Sequence, residues 1–125
     1  AKDDIFFTGR VNDEELGNLL GAAYALSFVP IFEGFGLPIV EAMQSGVPVI
    51  CSNVTSMPEV AGEAAILVDP YDIEEICDAM VRLYEYKNDL KIKLIEKGLV
   101  QKQLFTWDRT AKLLWNSITK VTEAG

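Results

Sequence analysis

The stretch at residues 33–46, EGFGLPIVEAMQSG, decides how this chain is read. It follows the apolar run ALSFV (25–29), which ends at Pro30 and reads as a strand covered on both faces. Pro38 suits a first helical turn and Gly46 a left-handed cap, so the stretch predicts a helix that opens at Pro38 and closes near Gly46. In an open parallel sheet, ligands bind beyond the carboxyl ends of strands, where loops lead into helix N-termini. Gly34 and Gly36 sit at that place and let the backbone approach a ligand closely. The helix start leaves amides unpaired and carries partial positive charge, which makes an anion site without lysine or arginine and suits a diphosphate. Glu33 and Glu41 then need a separate purpose, because a carboxylate beside a phosphate is unfavourable unless it binds something else. Vicinal hydroxyls are that partner, as in the ribose contacts of dinucleotide-binding folds. Glu41 is expected in the first helical turn and Glu33 just past the strand, both facing one cleft. The side chains of Phe35 and Leu37 read as core plugs.

Composition narrows the rest. One domain's worth of chain, 125 residues and half of them hydrophobic, can bury a core. Eleven basic against nineteen acidic residues give a net charge of −8, and no basic block appears, which argues against a nucleic-acid partner. The chain has no histidine, so acid, base or metal chemistry would fall to carboxylates. Cys51 and Cys77 lie far apart in apolar surroundings and read as reduced thiols of a cytoplasmic protein. The longest apolar run, AAYALSFVPIF (22–32), is about half of what a membrane span needs and contains a proline. The N-terminal AKDDIFFTG shows no secretory pattern and enters a strand, IFF (5–7), almost at once, as though sequence upstream had been cut away.

Strand and helix signals alternate along the chain. Asn12 and Glu15 have capping-box spacing ahead of the stripe Leu16, Leu19, Leu20 and Ala23. VPVI (47–50) and AAILV (64–68) read as short buried strands, separated by one helical turn that starts on the Ser56 and Glu59 spacing and ends at Gly62. Helical periodicity takes over from Asp72: one helix faces inward with Ile76, Ala79, Met80 and Leu83, and a second, begun by Asn88, with Leu90, Leu94 and Ile95. Thr106 caps the last, whose stripe is Trp107, Ala111, Leu114, Trp115 and Ile118. The pattern predicts an α/β fold, a three-layer α/β/α sandwich on a short parallel sheet, with residues 1–125 as one domain or part of one.

The residues EGFGLPIVEAMQSGVPVICSNVTSMPEV (33–60), AAILVDP (64–70) and FTW (105–107) also resemble a known family, the retaining glycosyltransferases of the glycogen-synthase-like group with the GT-B fold. The resemblance covers nearly the whole chain, and its Glu-x7-Glu motif is matched by Glu33 and Glu41. It implies a partial Rossmann-like C-terminal domain that binds a nucleoside diphosphate sugar, and transfer of a hexose with retained configuration and without a metal. By that resemblance Glu33 lies against the donor sugar as the catalytic position, and the amides of Gly34, Phe35, Gly36 and Leu37 serve donor hydroxyls and the distal phosphate. Glu41 takes the ribose, and the loop holding Arg10 and Val11 approaches the base. It implies further that an acceptor domain, the first strands of this domain and an Arg and Lys pair for the leaving diphosphate are missing, so that the fragment alone is inactive. A sugar or lipid-linked acceptor would then meet the absent domain, with the full-length protein cytoplasmic or peripheral at the membrane.

With its neighbours missing, the strand at 5–7 is expected either to rearrange or to leave strand edges open for a homodimer. Residues after Ile118, which would reach toward the absent domain, are expected to fray. Two rivals share these residues: a nucleotide-sugar epimerase of the same fold, and a noncatalytic α/β interaction module. A phosphorylase would need a lysine motif for a pyridoxal cofactor, and none is present.

Overall fold

The computed structural model describes residues 2–85 and 89–123. Helix α1 (Asp13–Ala22) leads to strand β1 (Leu26–Phe28), then α2 (Leu37–Gln44), β2 (Val49–Ser52), α3 (Met57–Ala61) and β3 (Ala65–Val68). Three helices follow: α4 (Ile73–Glu85), α5 (Asp89–Gln101) and α6 (Trp107–Glu123). The strands form one parallel sheet in the order β1-β2-β3, in register Leu26 with Val49 and Val49 with Ala65. Parallel neighbours need a crossover, and α2 and α3 provide the two.

All four residues of β2 are buried, as a central strand with helices over both faces requires. Its side chains alternate. Val49 and Cys51 join Leu20, Ile39, Met43, Met57 and Val60 on one face, while Ile50 joins Val68, Ala79, Leu83 and Leu94 on the other. Helices α1, α2 and α3 therefore cover one side and α4 the other, giving the three layers expected. Helix α5 packs against α2: Gly98 lies so close that a Cβ there would sit 3.1 Å from Met43 Cγ.

The caps follow local chemistry. Asn12 accepts from the Glu15 amide at 2.9 Å while Glu15 Oε2 accepts from the Asn12 amide at 2.9 Å, the full capping box. Asp72 Oδ1 accepts from the amides of Glu74 and Glu75 at the start of α4, and Thr106 Oγ1 accepts from the Arg109 amide at the start of α6. Gly46 takes φ +68° after α2 and Gly62 φ +55° after α3. The cap expected at Asn88 lies outside the described residues.

Four expectations change. Residues 5–7 are not a strand, and Phe6 and Phe7 stand 84% and 95% exposed. A lone extended segment gains no ladder bonds, so its β propensity has nothing to act on. Of the run 22–32 only Leu26–Phe28 is strand, and beyond Pro30 both Ile31 and Phe32 are exposed. The stripe of α6 faces solvent, with Trp107 88% and Trp115 65% exposed, since no described element lies over it. That helix nonetheless continues to Glu123 instead of fraying after Ile118. Among the described residues no helix is long and apolar enough to cross a membrane.

Two predictions follow from the central strand. Ser52 is fully buried and its hydroxyl has no hydrogen-bond partner among the described residues. Ser52→Ala removes that desolvation cost and should raise unfolding free energy in urea by about 0.5–1 kcal/mol. Burial also pushes the Cys51 thiol up to about 12, whereas Cys77 is exposed. In the native protein at pH 8 a thiol reagent should titrate Cys77 alone, and Cys51 only after denaturant is added.

Candidate functional site

The loop after β1 and the first residues of α2 hold five of the expected site residues in one turn: Glu33, Gly34, Phe35, Gly36 and Leu37. Gly36 is the N-cap of α2 and takes φ +102°, a left-handed backbone that only glycine adopts without strain. Space forbids a side chain there as well, because an added Cβ would meet Met57 Cε at 2.8 Å and Sδ at 3.3 Å. Pro38 stands in the second helical position, one later than expected, and removes an amide that the first turn would leave unpaired anyway. Among the described residues no hydrogen bond is made by the amides of Phe35, Gly36 or Leu37. The Gly36 carbonyl already accepts from Ile39, at 3.0 Å.

Both glutamates flank these amides. Glu33 is half-buried, and its Oε1 accepts from the Gly34 amide at 3.2 Å, so the carboxylate folds back onto the turn. Glu41 is half-buried too, but the first turn of α2 carries no acidic residue, because the helix starts at Leu37 and Glu41 lies one turn further in. The expectation of Glu41 in the first helical turn is thereby corrected. Leu37 is 60% exposed and plugs nothing; Phe35, 43% exposed, packs edge-on against Phe105 with ring centroids 5.7 Å apart.

Arg10 and Val11 stand just before α1. With Asn12, Asp13 and Glu15 they line a shallow depression of about 500 Å³, and no residue from 33–41 contributes to it. The structure unites Glu33 to Leu37 and sets Glu41 a turn away, but it does not bring Arg10 and Val11 into a shared cavity with them. Among the described residues no group of His, Cys, Asp or Glu could hold a metal ion.

Comparison with known proteins gives this geometry a family. The model of Glycosyl transferases group 1 matches residues 1–100, everything up to the end of α5. The chain belongs to that family. Among relatives of this group 1 domain, the O-antigen chain mannosyltransferase B of Escherichia coli is 42% identical over 104 residues, covering 83% of this chain and 27% of the relative. The MMP alpha-(1->4)-mannosyltransferase of Mycolicibacterium hassiacum is 35% identical over 113 residues, with 87% and 27% covered. A solved structure, sucrose-phosphate synthase from Thermosynechococcus elongatus, superposes with a TM-score of 0.82 at 28% identity over 98% of this chain and 31% of that one. The fold is accordingly that of a GT-B glycosyltransferase domain, and the chain spans about a quarter of the length of these two mannosyltransferases.

Ser56, Met57 and Phe105 touch this turn, although their part in it was not read from the sequence. The Ser56 and Glu59 spacing suggested a capping box, yet Ser56 makes no side-chain cap. Its hydroxyl instead donates to the Glu33 carbonyl at 3.0 Å. Thr55 takes φ +55°, a conformation costing a β-branched residue roughly 1–2 kcal/mol. No sequence signal marks a threonine for that region, whereas an aromatic at 105 beside a glycine-flanked Phe35 could have suggested a ring pair.

Gly36→Ala tests how firmly the turn is fixed. Left-handed strain and the Met57 contact should together lower unfolding free energy by about 1–3 kcal/mol, read by urea denaturation, whereas Gly34→Ala, with open space at its Cβ, should cost under about 1 kcal/mol.

Proposed function

We propose that this chain is the donor-binding part of a retaining glycosyltransferase that moves a hexose from a nucleoside diphosphate sugar to a sugar or lipid-linked acceptor. The observation that carries this reading is the run of unbonded amides at Phe35, Gly36 and Leu37, set at a helix start between Glu33 and Glu41. Those amides and the helix dipole attract the diphosphate in a chain whose net charge of −8 would otherwise repel it. Glu41 accepts hydrogen bonds from the ribose diol, and Glu33 swings from the Gly34 amide to the hydroxyls of the donor hexose, where it orients the sugar. The loop of Arg10 and Val11 approaches the base. The names of the mannosyltransferase relatives make mannose the first donor to try.

Catalysis asks for more than this stretch contains. Residues 33–46 include no arginine or lysine, so charge developing on the leaving diphosphate is met there by main-chain dipoles alone. The chain by itself should bind donor weakly and turn nothing over. No metal or other cofactor takes part in this scheme. The acceptor, and a second copy of this chain against the open strand edges, are the further partners proposed, with the whole protein acting in the cytoplasm or at the membrane surface.

Titration of the ¹⁵N-labelled chain with GDP, UDP, ADP and GDP-mannose tests the reading. Shifts should appear at the amides of Phe35, Gly36 and Leu37, with a Kd on the order of 1 mM for the preferred nucleotide. Glu41→Ala should weaken that nucleotide about tenfold and leave inorganic pyrophosphate unaffected, since only the diol contact is lost. Unmoved amides across all four ligands would overturn the proposal. Shifts confined to α6 would instead favour a noncatalytic interaction module working through its exposed Trp107 and Trp115 face.

A further inference from the structure

The peptide joining Glu33 to Gly34 is one rigid plane, so its carbonyl and its N–H point in opposite directions and turn together. Whatever holds the carbonyl therefore aims the amide. Glycine on the far side of that plane leaves it free to flip, since neither sign of φ is costly at Gly34. The Ser56 hydroxyl, 23 residues further along the chain, donates to this carbonyl at 3.0 Å in a half-buried contact.

Ser56 is free for the purpose because of where it stands. It occupies the N-cap of α3, but Pro58 offers no amide at the second helical position and the side chain makes no cap bond. Its own backbone is right-handed, at φ −83° and ψ −12°, and follows directly on the left-handed Thr55. The next residue, Met57, is fully buried and is the side chain against which Gly36 is seated. Consecutive residues of one loop thus touch both ends of the turn: Ser56 its first peptide and Met57 its last glycine. Phe105 steadies the ring between them.

We propose that Ser56 is a positioning residue for the donor site: its hydroxyl locks the Glu33–Gly34 peptide, and with it the Gly34 amide and the Glu33 carboxylate resting on that amide. The inference deepens the donor-binding reading above and rests on it for its functional meaning. Without the hydroxyl, the peptide samples both orientations, the carboxylate loses its seat, and the donor meets a turn that must first be ordered.

Three variants of the chain decide the matter, each followed by NMR before and after addition of GDP or the nucleotide preferred by wild type. In Ser56→Ala the Glu33 carbonyl resonance should move upfield, and the order parameters of Gly34 and Phe35 should fall from about 0.85 to below about 0.6, with β2 unchanged. Nucleotide affinity should drop about tenfold, the worth of one ordering hydrogen bond. Ser56→Thr, which keeps the hydroxyl, should restore the wild-type values. Phe105→Leu, which removes the ring contact and leaves the hydroxyl in place, should leave the Glu33 resonance where it is. An unchanged Glu33 resonance and unchanged order parameters in Ser56→Ala would overturn the proposal. So would loosening spread equally over β2, or a Ser56→Thr variant that behaves like the alanine. Should wild type bind no nucleotide, the donor-binding reading fails, while the resonances of the unliganded variants still decide what Ser56 does.

Discussion

The close approach of Gly36 to Met57 is the contact on which the site depends. Met57 is fully buried, and it fills the space that any side chain at position 36 would claim. The helix α2 can therefore begin directly against α3, its N-terminal amides held at the rim of the sheet and not inside the core. Left-handed backbone, absent Cβ and buried thioether form one arrangement: a side chain at 36 would push α3 away, and a smaller residue at 57 would open a void beneath the turn. The same cluster includes Val49 and Cys51 of β2, so the functional turn rests on the central strand through a single layer of side chains.

On the donor-binding reading proposed above, that arrangement lets an acidic protein hold an acidic ligand. Residues 33–46 include no arginine or lysine, and what remains is dipolar: amides without a partner among the described residues, at a helix start whose position is fixed from behind. Dipoles act only over short distances and only when aimed, which is why rigidity under the turn counts for more here than net charge. Helix α5 adds to it from the side, through Gly98 against Met43 and through Gln101, whose amide donates to the Val60 carbonyl at 3.1 Å near the end of α3.

Much of this was legible in the sequence because it is local. Pro38 and Gly46 bracket α2, Asn12 with Glu15 writes out a capping box, and the continuous apolar runs VPVI and AAILV mark two short strands, although Ala65, Ile66 and Leu67 prove only half-buried. Glu41 was misplaced because α2 begins one residue earlier than read, whereas the other misreadings named here concerned partners distant in the chain. The IFF segment has strand-forming residues but no strand pairs with it among the described residues, and the α6 stripe has helical spacing but no described element over it. Ser56 carried the signature of a cap, yet its hydroxyl goes to a carbonyl 23 residues earlier, a choice made by how two loops meet. Glu33 to Leu37 could be grouped because they are contiguous. Their relation to Arg10 and Val11 rested on resemblance alone, and no residue of the turn lines the depression those two help form.

The exposure of α6 has an optical consequence. Both tryptophans of the chain, Trp107 and Trp115, sit on that helix, 88% and 65% exposed, and neither belongs to the clusters around the sheet. At that exposure their emission should lie close to that of indole in water, so melting of the sheet should leave its colour almost unaltered. A blue shift would instead announce that some apolar surface had come to rest on α6, which makes the chain's intrinsic fluorescence a gauge of association and a poor gauge of folding.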